Sequence, residues 1–163
     1  MTGLMDAPAP APVQAADDTD DVLRIDGLCL DIVGHDRVDR ILDGVSIACR
    51  AGEIVGLVGE SGSGKSMTLR SVVGLQPAGA RVTGSIRVAG RELVAAGRDM
   101  VLGVRRELAA MIFQDPRAHV NPYQRIGIFV ADGLRRNRGW DRGRARAKVL
   151  SLLDEVGLPD PTT

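Results

Sequence analysis

The chain has 163 residues, with 21 basic side chains balanced by 21 acidic ones. That length suits one domain with a sizeable core, and zero net charge gives no global reason for a nucleic-acid or anionic-membrane partner. No apolar run approaches the roughly 20 residues that span a bilayer, and the N-terminus lacks the basic region and apolar core of a signal peptide, so a cytoplasmic location is expected.

Residues 1–21 are rich in Ala and Pro and then acidic (Asp17, Asp18, Asp20, Asp21). With too few large apolar groups to offset the entropy of ordering, they read as a disordered leader, an acidic docking tail being the alternative. Residues 22–30 alternate apolar and polar (Val22, Leu23, Ile25, Leu28, Leu30), as a half-buried strand does. A polar turn is expected over 34–40, and the strand pattern resumes over 41–49 with Ile41, Leu42, Val45, Ile47 and Cys49. Cys29 and Cys49 fall in these apolar segments without C-x-x-C spacing and are expected as buried free thiols. His35 and His119 are isolated, with no partner at zinc-ligand spacing.

Arg50, Ala51 and Gly52 turn the chain into Ile54, Val55, Gly56, Leu57 and Val58, an apolar run of the kind buried on both faces of a parallel sheet. Gly59, Glu60, Ser61, Gly62, Ser63, Gly64, Lys65 and Ser66 follow and match G-x-x-x-x-G-K-[ST] at every fixed position. The glycines allow successive amides to turn inward around a polyphosphate. A helix starting near Lys65 adds its positive N-terminal end, Lys65 a full charge at the β/γ-phosphates, and Ser66 a hydroxyl suited to Mg²⁺. Only Lys65 and Lys148 break the chain's use of arginine for positive charge. The predicted helix covers 65–75 and offers Met67, Leu69, Val72 and Val73 to the sheet.

Residues 84–90 read as another short alternating strand, and residues 101–108 as a helix. The flanking strands are expected to be antiparallel and the run at 54–58 parallel. Ala109, Ala110, Met111, Ile112 and Phe113 form a compact apolar run, expected as a core strand that delivers Gln114 at its C-terminal end, on the ligand edge of an α/β sheet. The Gln114 carboxamide suits Mg²⁺, the attacking water or the γ-phosphate; equally it suits a turn cap before Pro116. Beyond Pro116, residues 126–134 and 145–156 show helical spacing (Ala145, Val149, Leu152, Leu153, Val156). Between them lies an arginine-rich segment, 135–146, around Trp140. Asp132 and Asp141 interrupt its charge, and aromatic residues, 2% of the chain, are too scarce for a base-stacking platform; a solvated face is expected and no nucleic acid.

These residues resemble the nucleotide-binding subunit of ABC transporters, in the branch serving dipeptide and oligopeptide importers. The resemblance is carried by residues 56–66, by residues 110–116 with Asn121 and Pro122 after them, and by residues 152–159. It implies an α/β fold: a P-loop NTPase core with an antiparallel β subdomain over 22–116 and the start of a helical subdomain over 117–163. It implies ATP and Mg²⁺ as cofactors, held by Gly59, Glu60, Ser61, Gly62, Ser63, Gly64, Lys65, Ser66 and Met67, with Ser66 and Gln114 on the metal and Gln114 sensing water or metal. The implied partners are a second ATP-binding subunit, identical or not, the transmembrane permease subunits next to residues 115–123, and indirectly a solute-binding protein. The implied location is the inner face of the membrane. Ile32 stands where the family usually has an aromatic residue that stacks on adenine.

The chain resembles only the N-terminal portion of such a subunit. The L-S-G-G-Q signature, the Walker B strand with its glutamate and the switch histidine are expected to be absent from the 163 residues. Leu150, Ser151, Leu152, Leu153, Asp154 and Glu155 imitate Walker B, but their spacing is that of an amphipathic helix. The expectation is a chain that binds ATP and lacks an evident base for hydrolysis. A small P-loop phosphotransferase and a non-catalytic regulatory module are the alternatives.

Overall fold

The computed structural model describes residues 20–115 and 120–158. The expected leader, apart from its last two residues, and His119 lie outside that range. The chain divides into two compact units, residues 1–111 and 112–163.

The first unit is built on a four-stranded antiparallel sheet in the order β2-β1-β3-β4. Its strands are β1 (Asp21–Val33), β2 (Val38–Arg50), β3 (Ala80–Val88) and β4 (Arg91–Glu92). The first two strands outrun the expected 22–30 and 41–49, leaving a turn of four residues closed by the Gly34 N–H donating to the Arg37 carbonyl. The central strand does not alternate simply. Ile25 pairs with Ile47 and Leu28 with Val45, so three steps on β1 meet two on β2, and the same irregularity recurs against β3 between Asp26 and Cys29. This bulge brings Ile25, Leu28 and Leu30 together into the core despite their uneven spacing. Gly84 of β3 sits opposite it with φ 95°, and a Cβ there would come within 2.5 Å of the Gly27 carbonyl oxygen. The backbones cross too closely for any other residue.

The sheet's core is completed by Val72 from α1 (Lys65–Val72) and Val104 from α2 (Arg98–Glu107), with Leu42, Ile86, Val88 and Leu93. α1 stops three residues before the expected Leu75. Thr68 and Ser71 are buried on it and turn their hydroxyls back to the carbonyls of Gly64 and Met67, which satisfies both groups without water. Leu69, expected on the sheet side, is half exposed.

Two expected strands do not form. Residues 54–58 join no ladder, and Ile54 and Val58 are 97% and 91% exposed. Residues 109–113 also remain outside the sheet: Ala109 packs on the core while Ile112 is 96% exposed. An apolar run becomes a buried strand only when neighbouring strands take its N–H and C=O groups, and among the described residues none does. The cysteines also depart from expectation. Both are free but half-buried; Gly44 N–H donates to Cys29 Sγ at 3.2 Å, and Cys49 Sγ lies 3.7 Å from the Glu53 carbonyl.

The second unit holds α3 (Ile126–Arg138) and α4 (Arg142–Glu155). Ala145, Val149 and Leu153 form the buried stripe of α4, so residues 150–155 are helical as their spacing requires; Val156, expected in the stripe, caps the helix and is exposed. The arginine-rich segment is mostly helix. Gly139 ends α3 in a left-handed conformation, its N–H donating to the Arg135 carbonyl, and Asp141 opens α4 by accepting from the Arg144 N–H at 3.0 Å. Arg135, Arg136 and Arg138 thus occupy the last turn of α3, where the helix dipole favours cations.

Candidate functional site

The site begins where β2 ends. Glu53 N–H donates to the Arg50 carbonyl while Arg50 N–H donates to the Glu53 carboxylate at 2.8 Å, a two-way lock on the turn that launches the chain toward Gly59. The loop then closes on itself through Ser63 N–H and the Glu60 carbonyl, 3.3 Å apart. Gly64 stands immediately before α1 at φ 87°, ψ −5°. A Cβ at that position would lie 2.6 Å from Leu42 Cδ2 and 3.3 Å from the Ile41 carbonyl oxygen. Both its conformation and its space therefore demand glycine, and the close approach seats the loop on β2.

Lys65 folds back over the loop. Its Nζ donates to the carbonyls of Gly59 at 2.8 Å and Glu60 at 2.6 Å, and to Ser63 Oγ at 3.1 Å. All three acceptors are neutral, so the ammonium is held in place without being neutralised by an ion pair. Among the described residues no acceptor takes the N–H groups of Gly62, Gly64, Lys65, Ser66 or Met67. The first turn of a helix leaves such donors unshared, and here the loop adds its own. Ser66 is exposed, with its hydroxyl one residue inside α1. Five amides, an ammonium and a hydroxyl oxygen form a donor set that fits a polyphosphate with a hard divalent cation.

The far end of α1 is fixed as well. The Arg105 guanidinium on α2 donates to the carbonyls of Val73 and Gly74, satisfying groups that the end of a helix leaves open. Nothing in the sequence pattern signals a contact across 31 residues. Gln114 lies at a bend in the second unit and is exposed, whereas the residues of 59–67 come together in the first. Ile32 pairs with Ala80 and Asp39 and packs half-buried against the sheet core, the place of a strand-end core residue.

The described residues contain no cluster of His, Cys, Asp or Glu arranged for a metal, and no helix among them is long and apolar enough to cross a membrane. A family model described as ABC transporter matches residues 42–162, most of the chain. The chain belongs to the ABC transporter family. It is 40% identical over 144 residues to a probable D,D-dipeptide transport ATP-binding protein of Escherichia coli, covering 87% of this chain and 44% of that protein. An oligopeptide transport ATP-binding protein of Haemophilus influenzae is 38% identical over 125 residues, covering 77% and 39%. The chain thus spans less than half the length of these relatives. Among solved structures, the ATP-binding cassette MJ0796, a dimer in a post-hydrolysis state bound to ADP and Pi, matches with a TM-score of 0.69 at 21% identity, covering 81% of this chain and 56% of that one. That likeness establishes the fold: a partial α/β ABC ATPase domain.

Proposed function

We propose that the chain holds Mg-ATP as part of the ATP-binding subunit of an ABC importer for peptides or similar solutes. The observation that carries this reading is the loop at 59–66, where amides without an acceptor among the described residues stand beside an ammonium held by three neutral oxygens. The relatives' transport of dipeptides and oligopeptides supports the class of cargo. In this reading Gly59, Glu60, Ser61, Gly62, Ser63, Gly64 and Met67 hold the phosphates through the backbone. Lys65 exchanges its loop carbonyls for β/γ-phosphate oxygens, and Ser66 ligates Mg²⁺. The metal, when bound, neutralises charge on the transferring phosphoryl group. Gln114 is assigned the sensing of the metal or the water.

Titrating the pure chain with a fluorescent ATP analogue and Mg²⁺ tests this. Lys65→Ala is expected to weaken binding at least about tenfold, ~1.4 kcal/mol, with the helix content unchanged. Equal affinity in the two proteins would remove the phosphate role, and steady hydrolysis by the chain alone, lost in Lys65→Ala, would favour the phosphotransferase reading.

Assembly with permease subunits at the inner membrane face is the remaining part of the proposal. Asn121 Oδ1 accepts from the Tyr123 N–H at 3.0 Å and shapes the turn into α3, leaving Tyr123 97% exposed. An exposed aromatic on a fixed turn suits a protein contact. Asn121→Asp keeps the turn's acceptor but adds charge, so it is expected to weaken capture of the permease while ATP affinity stays unchanged; transport at the wild-type rate would place the permease elsewhere.

A further inference from the structure

The helical unit contains a feature that phosphate binding at 59–66 does not use. Between α3 and α4 lies a cavity of about 570 Å³. Small-molecule sites measure roughly 300–1,000 Å³, so this one has room for a single ligand. Ile126, Ile128 and Val149 give its lining an aliphatic part, and Ile126 and Ile128 are each about half exposed. Arg125, Arg135, Arg142 and Arg146 line it against one carboxylate, Asp132.

Charge is not balanced there. Asp132 is already shared between Arg135 at 4.0 Å and Arg136 at 3.6 Å. Arg125, Arg142 and Arg146 have no ion-pair partner among the described residues, and Arg142 and Arg146 stand one turn apart on α4. Residues 125–148 carry eight cations and two carboxylates in a chain whose net charge is zero. Guanidinium forks match the oxygens of a phosphate or carboxylate in a two-pronged manner. A bare anion would leave the aliphatic side chains wet, and a neutral apolar molecule would leave the forks without an anion. A nucleic acid would find no aromatic platform in the lining, whose residues include none. Both features are satisfied together by a molecule with an anionic head and an apolar body.

We propose that the α3–α4 cavity binds an acidic amphiphile. Arg125, Arg142 and Arg146 hold the phosphate or carboxylate head, and Ile126, Ile128 and Val149 receive the tail. The proposal is independent of the ATP reading, because every residue in it belongs to the second unit.

The test is calorimetric titration of the full chain with decyl phosphate below its micelle concentration. Fluorescence of Trp140, the only tryptophan, is a second readout; it stacks on Arg144 of α4 at 4.1 Å. Saturable binding is expected, weakening as salt rises. Inorganic phosphate and decanol at the same concentrations should each bind at least about tenfold more weakly. The double variant Arg142→Gln/Arg146→Gln should lose at least about tenfold in affinity, and so should Ile128→Ser, which leaves the arginines intact. Circular dichroism checks the fold, and Arg125→Gln replaces the double variant if that unfolds. Affinity unchanged in the arginine and Ile128 variants, no saturable binding at all, or inorganic phosphate binding as tightly as decyl phosphate would each overturn the proposal. A further arm with vesicles distinguishes the source: arginine-dependent capture by phosphatidylglycerol but not phosphatidylcholine vesicles assigns a lipid head, whereas binding of decyl phosphate alone assigns a soluble ligand.

Discussion

Single residues fix the parts of this chain that motif spacing leaves undetermined. Glu92 is an instance in the β3–β4 hairpin. Burial raises its pKa, but the Ser85 hydroxyl and the N–H groups of Val94, Ile86 and Leu93 all donate to the carboxylate, and together they hold it below its ordinary value of 4.5. A carboxyl with a depressed native pKa stabilises the fold above its unfolded value and loses that contribution as pH falls through the native one. Chemical denaturation between about pH 6 and about pH 3 should therefore show a shallower acid loss in Glu92→Gln than in wild type. Part of the slope should persist in the variant, because Asp31, bonded to Arg40, and Asp141, bonded to the Arg144 N–H, are also lowered. The same scale explains why Lys65 was legible and its posture was not: the motif names the lysine, while the three oxygens that hold it come from a loop whose turn had to be built.

At the scale of elements, α1 shows how a short helix becomes a firm platform. Eight residues are too few for an isolated helix in water, and no side chain caps its N-terminus. Its stability comes from Val72 in the sheet core, Gly64 against Leu42, and Arg105 on the carbonyls at its far end. Arg105→Met keeps much of the packing but removes the charged hydrogen bonds, and should cost about 2 kcal/mol in urea unfolding. A loss within experimental error would mean that water replaces the guanidinium at no cost. The strands were legible as alternating runs, yet the bulge in β1 was not. Gly27 inside an alternating pattern was the available signal, since a glycine within a strand often marks a bulge or a close crossing. Likewise Gly139 and Asp141 were readable as a helix stop and a helix start inside the arginine-rich stretch, where charge alone draws attention.

For the whole molecule, the unpaired run at 54–58 matters most. Ile54 and Val58 stand almost fully exposed in the 163-residue chain, so replacing both with Thr should lower binding of a hydrophobic dye and change the unfolding free energy by no more than about 0.5 kcal/mol. A large loss of stability would show that the run is buried after all. The sequence by itself determined the glycine-rich loop at 59–66, the helix behind it, the antiparallel strands and the family, because glycine spacing, a lysine at one position and apolar periodicity are local properties that need no partner to be read. Only the tertiary structure decided which apolar runs become strands, where β1 bulges, what seats Gly64 and what clasps the end of α1. Each of those depends on which backbone and side chain arrive from tens of residues away, and a hydrogen-bond ladder or a close approach exists only when both sides are present.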